Sequence, residues 1–342
     1  MAGFRVAVAG ATGLVGRTIL QILEERAFPV AELVPLASPR SAGKKLSFGG
    51  EALQVSTLSG DSFDRCDLAF FSAGASVSRE YSPIAARHCV YVIDNSSAFR
   101  MDPDVPLVVP EVNAHELNGY RGIVANPNCS TAQMVVALQP LHEAFGLQSV
   151  VVSTYQSVSG TGEKGIRALD HEVDTGSRST ESPYQHPIAF NALPQVGDFD
   201  TDGWAEEEKK MIDETRKIMN LPDLHVVPTT VRVPVRVGHS ESVYLRFHRE
   251  VDAAQARRTL SGALGIVVFD EPATAKYPTA LQCDGRDEVF VGRVRADPAD
   301  NHALALWIVA DNLRKGAATN AVQIAEAVTG TLARRERQEH YA

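Results

Sequence analysis

The start of the chain constrains its fold more than any other segment. An apolar run at residues 4–9 is followed at once by glycines at a spacing of three, and then by apolar residues at helical spacing. A buried strand, a tight glycine turn and an amphipathic helix open a nucleotide-binding unit. There the backbone of the turn approaches a diphosphate, and the last glycine allows close packing of helix and strand. The pattern therefore predicts a dinucleotide site formed by Gly10, Thr12, Gly13, Leu14, Val15 and Gly16.

The remaining apolar segments predict two domains. Short strands at 32–37, 68–72, 91–94 and 122–125 are typical of a parallel sheet. Beyond residue 128, β-branched or alternating strands follow at 149–156, 226–237, 242–247, 288–294 and 302–310, with a helix at 204–220. We expect an α/β fold: a Rossmann-type doubly wound domain over residues 1–128, and a second α+β catalytic and dimerisation domain over 129–312. A final helix, about 313–330, is expected to pack back on the first domain.

Composition argues against several classes of partner. The formal net charge of −9 leaves no basic surplus for nucleic acid or an anionic membrane. The four cysteines, Cys66, Cys89, Cys129 and Cys283, lack the spacing of a zinc site, so we expect neither a metal nor a disulfide framework. With no visible signal peptide and no apolar run of membrane-spanning length, the predicted location is the cytoplasm.

One cysteine lies where a thiol can become a nucleophile. Cys129 stands between the strand predicted at 122–125 and a helix predicted at 131–141. At a helix N-terminus, unpaired N–H groups and the helix dipole favour the thiolate. The ordinary alternative is a free cysteine that packs as a small hydrophobe. A catalytic role therefore requires a base and an anion site elsewhere in the chain.

Three residues are candidates for those partners. His239 follows a predicted strand and a glycine, so its side chain can project from a strand end. Arg232, on the same predicted strand, can bind a carboxylate through two hydrogen bonds. Arg100 follows the strand predicted at 91–94, at the edge where open α/β sheets bind ligands. Taken alone, His239 is more often a surface or packed side chain, and an arginine such as Arg232 on the polar face of a sheet is most often solvated.

The end of the second predicted strand distinguishes between cofactors. An NAD site has an acidic residue there to hold the ribose 2′-hydroxyl, whereas this strand is followed by Ser38, Arg40 and Ser41. A guanidinium and two hydroxyls suit a 2′-phosphate, so the sequence favours NADP. The alternative is that Arg40 is a solvated loop charge.

Taken together, the motifs resemble those of a known family. They are, in order, Gly10-x-x-Gly13-x-x-Gly16, Asn126–Thr131, Gln156–Gly160, Arg232–Val235 and Gly238–Glu241. Over essentially its whole length the chain is similar to aspartate-β-semialdehyde dehydrogenases. The resemblance implies NADPH-dependent conversion of L-4-aspartyl phosphate into L-aspartate 4-semialdehyde and phosphate, in lysine, threonine, methionine and diaminopimelate biosynthesis. It also implies a homodimer formed through the sheet of the second domain.

The resemblance further implies a role for each candidate residue. Cys129 would form a thioester, His239 would act as acid and base, and Gln156 would orient the substrate. Arg232 would bind the α-carboxylate and Glu207 the amino end, while the phosphate would be bound by Arg100, Asn128 and Lys210. Ser159, Gly160 and Asn312 would lie against the nicotinamide, with Asn320 as a second candidate. The run Glu206–Lys210 leaves the register open by one residue, so Glu208 or Lys209 could hold those roles.

Two competing hypotheses remain. N-acetyl-γ-glutamyl-phosphate reductase shares the architecture and the thioester chemistry but takes a longer, acylated substrate. Arg232 with an acidic partner for the amino end favours a free amino acid instead. A non-catalytic paralogue would be favoured by loss of the thiol or the base, and both Cys129 and His239 are present.

Overall fold

The computed structural model describes residues 3–89 and 91–330. These residues form two compact units, one made of the described residues up to Pro127 and from Ala317 onward, the other of Asn128–Gly316. Their helices are α1 (Leu14–Glu25), α2 (Ala75–His88), α3 (Pro110–Asn113), α4 (Cys129–Phe145), α5 (Glu163–Thr175), α6 (Glu206–Ile218), α7 (Ala253–Ser261), α8 (Ala280–Cys283) and α9 (Thr319–Thr329).

The first unit is built on a parallel sheet. Its strands are β1 (Phe4–Ala9), β2 (Val30–Ala37), β3 (Lys45–Phe48), β4 (Glu51–Gln54), β5 (Ser56–Thr57), β6 (Leu68–Phe71), β7 (Tyr91–Asp94) and β8 (Gly122–Ala125). β3 and β4 form a separate hairpin, and the other six are ordered β5-β2-β1-β6-β7-β8, all parallel. The order reverses at β1, so the carboxyl ends of β1 and β6 flank the switch point where such sheets bind ligands.

Both faces of this sheet are covered, as the alternation along β1 requires. Val6 and Val8 belong to a core that includes residues of α1 and α9. Ala7 and Ala9 point to the opposite face and join a core that includes α2. Arg26 also binds Glu326 of α9 through its Nε and Nη2 atoms, at 2.9 and 2.6 Å. The predicted doubly wound α/β fold is confirmed for this unit.

The glycine turn between β1 and α1 depends on the absence of side chains. Gly10 has a φ of +85°, a conformation that favours glycine. A Cβ atom on Gly16 would overlap the carbonyl oxygen of Gly10 and lie 2.8 Å from Ala11 Cα. Gly13 has more room, because a Cβ there would meet only Gly10 O, at 3.4 Å. Close packing of α1 on its strand therefore requires glycine at position 16.

The second unit contains a mixed sheet. Its strands are β9 (Leu147–Gln156), β10 (His225–Arg232), β11 (His239–Phe247), β12 (Ile266–Val268), β13 (Val289–Asp297) and β14 (Asp300–Ala310). They are ordered β10-β9-β11-β14-β13-β12, with parallel pairs at the two ends and antiparallel pairs between them. α4, α6 and α7 pack against this sheet. Along β9, Val150, Val152 and Thr154 are buried, whereas Val151 and Tyr155 are 46% and 38% exposed.

The strand predicted over 226–237 was wrong in its second half. β10 ends at Arg232, and His239 begins the next strand, so the two residues do not share a strand. Pro234 cannot donate a ladder hydrogen bond. The segment after Arg232 bonds instead to the chain beyond β9, because Val158 N donates to Val235 O at 2.8 Å. The buried side of β10 carries Val226, Thr230 and Arg232, whereas Val227 and Val231 on the other side are only partly buried.

A first prediction tests the packing of the glycine turn. We expect Gly16→Ala to lower the free energy of unfolding by about 1–3 kcal/mol, because the new methyl group overlaps backbone atoms that cannot move aside. Gly13→Ala is the matched control and should melt close to the wild-type temperature. Thermal unfolding followed by circular dichroism measures both. Equal melting temperatures for the two variants would contradict this account of α1 packing.

Candidate active site

Strand register places three predicted site residues in one row of the second sheet. Arg232 of β10 lies opposite Gln156 of β9. Ser240 and Glu241 of β11 lie opposite Tyr155 and Thr154, which puts His239 level with Gln156. Arg232, Gln156 and His239 are 5%, 1% and 0% exposed. We call these three residues the catalytic row.

Cys129 is the first residue of α4, as predicted, and Asn128 caps that helix. The side-chain oxygen of Asn128 accepts from Ser130 N and Thr131 N, at 3.0 and 3.2 Å. Cys129 is half-buried, whereas Cys66, Cys89 and Cys283 are buried. A Cβ atom on Gly316 would lie 2.8 Å from Cys129 Cβ, so the chain passes directly beside this residue.

Hydrogen bonds join the first turns of α4 to the catalytic row. Gln156 Nε2 donates to Ser130 Oγ at 2.8 Å, one residue beyond Cys129. Gln133, one turn further along α4, donates from Nε2 to the carbonyl oxygen of His239 at 3.2 Å. The nucleophile candidate and the base candidate therefore belong to elements that are tied together within the second unit.

His239 is neutral at pH 7. Burial, and then the charge of Arg232, hold the pKa of His239 well below its usual range, although a backbone hydrogen bond with Gly238 acts in the opposite direction. The backbone N–H of Ser157 donates to Nδ1 at 3.0 Å, which places the proton of the neutral ring on Nε2. Nε2 has no hydrogen-bond partner among the described residues. It is thus a donor available to a ligand.

Arg232 is held by the backbone and faces a cavity. Its NH1 group donates to Ser157 O at 2.7 Å, while its buried Nε has no partner within the described part of the chain. The cavity, of about 410 Å³, is lined by Arg232, Thr161 and residues 183–186 and 193–199. A Cβ atom on Gly160 would lie 2.8 Å from Arg232 NH1 and 3.3 Å from His239 Nε2. Glycine at 160 therefore keeps the space in front of both groups open.

The contacts of α6 show which glutamate and which lysine of the run Glu206–Lys210 lie beside Asn128 and Gln156. Glu207 Oε1 accepts from Asn128 Nδ2 at 2.6 Å and from Gln156 Nε2 at 3.4 Å. Lys210 lies 3.8 Å from Glu207 and 2.7 Å from Glu206. Glu208 accepts instead from the backbone N–H groups of Ala205 and Thr230. Lys209 is half exposed and pairs with Asp200. Glu207 and Lys210 are thus the pair on the side of Asn128 and Gln156.

Asn312 organises the segment that follows β9. Its Oδ1 accepts from Ser157 Oγ, Ser159 Oγ and Gly238 N, at 2.9, 3.1 and 2.9 Å. Its Nδ2 lies 3.0 Å from Ser159 Oγ. These bonds fix the loop that carries Gly160 and the glycine that precedes His239.

The first unit contains the remaining predicted site residues. Arg100 is buried and donates from Nε to Asn126 O and from NH2 to Asn95 O, both at 2.9 Å. Asn320 Nδ2 donates to Val108 O and Asn126 Oδ1, at 2.9 and 2.7 Å. These contacts give both residues a structural role within this unit.

The same unit offers a site that fits a dinucleotide. α1 begins after Gly13 with no side-chain cap and no acidic residue in its first turn, so its N–H groups suit an anion. The exposed Ser38, Arg40 and partly buried Ser41 belong to a short 3₁₀ turn directly after β2. No carboxylate stands at the end of β2, where a free ribose hydroxyl would need one.

Sequence reasoning missed two residues that shape the site. Glu214 is 1% exposed, and its Oε2 accepts from Asn128 N at 2.6 Å. Ser157 holds both His239 and Arg232. The signal for Glu214 was available, because Glu207, Met211, Glu214 and Ile218 recur at helical spacing and carboxylates on an apolar stripe must have partners. Ser157 gave no such signal, since its role depends on two other strands.

The described residues form neither a metal site nor a membrane-spanning helix. Within residues 3–89 and 91–330, no group of three or more His, Cys, Asp or Glu side chains is arranged to hold a metal ion. No helix in the described ranges is both long and apolar enough to cross a membrane.

Comparison with known proteins places the chain in a family. A family model described as semialdehyde dehydrogenase, NAD binding domain, matches residues 5–120, and one described as semialdehyde dehydrogenase, dimerisation domain, matches residues 138–315. The aspartate-semialdehyde dehydrogenase of Aquifex aeolicus is 53% identical over 331 residues, which cover 95% of this chain and 97% of that protein. The chain belongs to the aspartate-semialdehyde dehydrogenase family. It is therefore an oxidoreductase, and the reductase of N-acetylated substrates is not favoured.

Solved structures agree with this assignment. Aspartate semialdehyde dehydrogenase II of Vibrio cholerae, in complex with ASA, has a TM-score of 0.92 and 46% identity, over 96% of this chain and 99% of that chain. The aspartate semialdehyde dehydrogenase of Candida albicans, solved with NADP, has a TM-score of 0.74 and 26% identity, over 95% and 98%. The likeness thus covers both units, and the first unit matches a family of NAD(P)-binding domains.

A second prediction concerns the buried imidazole. Because the pKa of His239 is lowered in the folded state, the unfolded chain binds more protons below about pH 6.5, and folding stability falls as the pH falls. We expect the free energy of unfolding of the wild type, relative to that of His239→Asn, to fall between pH 7 and pH 5 by up to about 1.4 kcal/mol per pH unit. Melting temperatures measured across this range test it. A constant difference between wild type and His239→Asn would contradict a neutral His239.

Proposed function

We propose that this enzyme reduces L-4-aspartyl phosphate to L-aspartate 4-semialdehyde and phosphate with NADPH, and that Cys129 is its nucleophile. The observation that carries the proposal is the start of α4, where Cys129 follows an N-cap and α4 is hydrogen-bonded to the row Arg232, Gln156 and His239. A thiol at a helix N-terminus, a neutral imidazole and a guanidinium are the groups that acyl transfer from an acyl phosphate to sulfur requires.

In the proposed first step, the Cys129 thiolate attacks the acyl carbon. A C–S bond forms, the C–O bond to phosphate breaks, and phosphate departs, which leaves a thioester on Cys129. Charge develops on the carbonyl oxygen during the attack, and the Nε2–H group of His239 would donate to it. NADPH, when bound, supplies the hydride that reduces the thioester to the aldehyde. As the aldehyde forms, the C–S bond breaks and the thiolate of Cys129 leaves.

His239 also serves the proton transfers that accompany these steps. To take the thiol proton on Nε2, the ring must first shift its resting proton from Nε2 to Nδ1, with loss of the hydrogen bond that Nδ1 accepts from Ser157 N. Ser157 Oγ, 3.1 Å from Nδ1, would accept a hydrogen bond from that form. The same hydroxyl donates to Asn312 Oδ1 at 2.9 Å, so it keeps a partner in both states of the ring. A proton passed from the thiol to the departing phosphate balances the first step.

The substrate groups have matching partners. Arg232 would bind the α-carboxylate, since its guanidinium faces a cavity and carries an unpartnered Nε. Glu207 would bind the amino group, and Gln156, which already donates to Ser130, would orient the reacting carbonyl. Lys210 and Arg100 would bind the phosphate. Asn128 would lie beside the phosphate because it directly precedes Cys129. Its side chain already caps α4 and binds Glu207.

The cofactor would be NADP rather than NAD. The diphosphate would lie at the uncapped N-terminus of α1, on the backbone of Gly10, Thr12, Gly13, Leu14, Val15 and Gly16. The 2′-phosphate would bind Arg40, Ser38 and Ser41. Ser159, Gly160 and Asn312 would hold the nicotinamide in the second unit. The Candida albicans relative solved with NADP supports this choice.

The exposed face of the second sheet supports a homodimer, and the thiol of Cys129 supports a reducing compartment. Val151 and Tyr155 expose apolar surface on the sheet face opposite α4, and Tyr155 packs on Trp307 with ring centroids 5.4 Å apart. That face would pair with a second copy of the chain, in line with the dimerisation domain that matches residues 138–315. A reducing compartment such as the cytoplasm would keep Cys129 reactive.

A third prediction tests the reaction and its nucleophile. The wild-type protein should reduce NADP⁺ with L-aspartate 4-semialdehyde only when phosphate is present, as followed at 340 nm. Cys129→Ala should lower kcat at least about 10³-fold, because no thioester can form. Cys283→Ala, which removes a buried thiol outside the site, should stay near wild type. Wild type without turnover would contradict the function, and an active Cys129→Ala would contradict the mechanism.

A fourth prediction tests the cofactor choice. Arg40→Ala should raise KM for NADP about 10- to 100-fold, the loss expected for one hydrogen bond to a charged group. KM for NAD should hardly change. Arg79→Ala, an exposed arginine of α2, is the matched control. An unchanged ratio of the two KM values would overturn the assignment of the 2′-phosphate to Arg40.

A further inference from the structure

A second polar row lies behind the catalytic row on the same face of the sheet. Thr230 of β10 lies opposite Thr154 of β9, and Thr154 lies opposite Glu241 of β11. All three side chains are 0% exposed. Glu241 is two residues beyond His239 on the same strand, so both side chains point to the same side of the sheet. The reaction proposed above uses none of these three residues.

Glu241 and Gln133 carry polar atoms that lack partners. Neither carboxyl oxygen of Glu241 has a hydrogen-bond partner among the described residues, and the same holds for Gln133 Oε1. Burial raises the pKa of Glu241 well above its usual range, and the Gln133 amide acts in the opposite direction, so the two side chains are neighbours. Burial thus favours the neutral, protonated form of Glu241, which can donate one hydrogen bond as well as accept.

Gln133 connects this acid to His239 and to the helix that carries Cys129. It lies one helical turn beyond Cys129 on α4, and its Nε2 donates to the backbone carbonyl of His239 at 3.2 Å. Its Oε1 is then the unpartnered acceptor, and the O–H of Glu241 is the unpartnered donor. A hydrogen bond between them would satisfy both and would fix the amide in the orientation that holds His239.

We propose that Glu241 and Gln133 form a hydrogen-bonded pair that positions His239 with respect to Cys129. Both are positioning residues, since neither touches the substrate. The proposal rests on the proposed function, because it assigns to the pair the alignment of that reaction. It has a specific chemical consequence: an amide can replace the acid at position 241, because the role requires a neutral group with one donor and one acceptor.

The test compares Glu241→Gln with Glu241→Leu in the full-length enzyme. Glu241→Gln should keep kcat within about twofold of wild type, while Glu241→Leu should lower it about 10²-fold, the loss expected for a misplaced catalytic group. KM for both substrates should stay within about threefold, because substrate and cofactor ligands are untouched. Glu172→Gln is the matched control: it alters a buried glutamate that binds Ile188 N and Ala189 N. It should behave as wild type.

A second readout separates this proposal from the proposed function. Alkylation of Cys129 by iodoacetamide, followed by mass spectrometry of its peptide, needs no substrate turnover. Its rate should fall about tenfold in Glu241→Leu and be restored in Glu241→Gln if the position of His239 governs the thiol. If the wild-type enzyme showed no turnover but the alkylation rates of the variants followed this pattern, the proposed function would be refuted and the positioning pair would stand.

Three outcomes would overturn the proposal. Wild-type kcat in a folded Glu241→Leu, or equal impairment of Glu241→Gln and Glu241→Leu, would each exclude a neutral positioning acid. If Glu241→Leu does not fold, Gln133→Leu takes its place, since it removes the amide while leaving Glu241. It should show the same loss of kcat at constant KM, and wild-type kcat there would also refute the pair.

Discussion

The hydrogen bonds of Asn128 determine where Cys129, the proposed nucleophile, lies. Its side-chain oxygen caps the first turn of α4, its side-chain nitrogen binds Glu207, and its backbone N–H binds Glu214. A helix cap contributes about 1 kcal/mol, and hydrogen bonds to carboxylates contribute about 1.5–3 kcal/mol each. One residue thus holds the start of α4 against α6. Because Cys129 follows directly, its position depends on these bonds rather than on its own packing.

Polar groups left unsatisfied mark where we propose that the substrate binds. Arg232 Nε and His239 Nε2 are buried and have no partner within the described residues, although buried polar atoms are normally hydrogen-bonded. Their other atoms are held by Ser157. The fold thus fixes each side chain at one end and leaves the other end directed at the space that Gly160 keeps open. A bound substrate would replace the missing partners.

The two faces of the second sheet differ in burial and in the side chains that they carry. The face covered by α4, α6 and α7 carries the catalytic row and the row of Thr230, Thr154 and Glu241 behind it. The opposite face exposes Val151 and Tyr155, which suits an interface with another copy. Alternation along β9 allows both, since successive side chains point to opposite faces. A single ten-residue strand thereby serves the site and the proposed dimer.

Features that depend on neighbouring residues could be predicted from the sequence. The glycines at 10, 13 and 16 predicted the β1–turn–α1 unit, and the position of Cys129 before an apolar helix predicted the start of α4. The folded structure was needed to show that β10 ends at Arg232, that Glu207 rather than Glu208 faces Asn128, and that Glu241 lies behind His239. The reason is physical: caps and turns arise from contacts a few residues apart, whereas strand register and burial arise from partners far away in the chain.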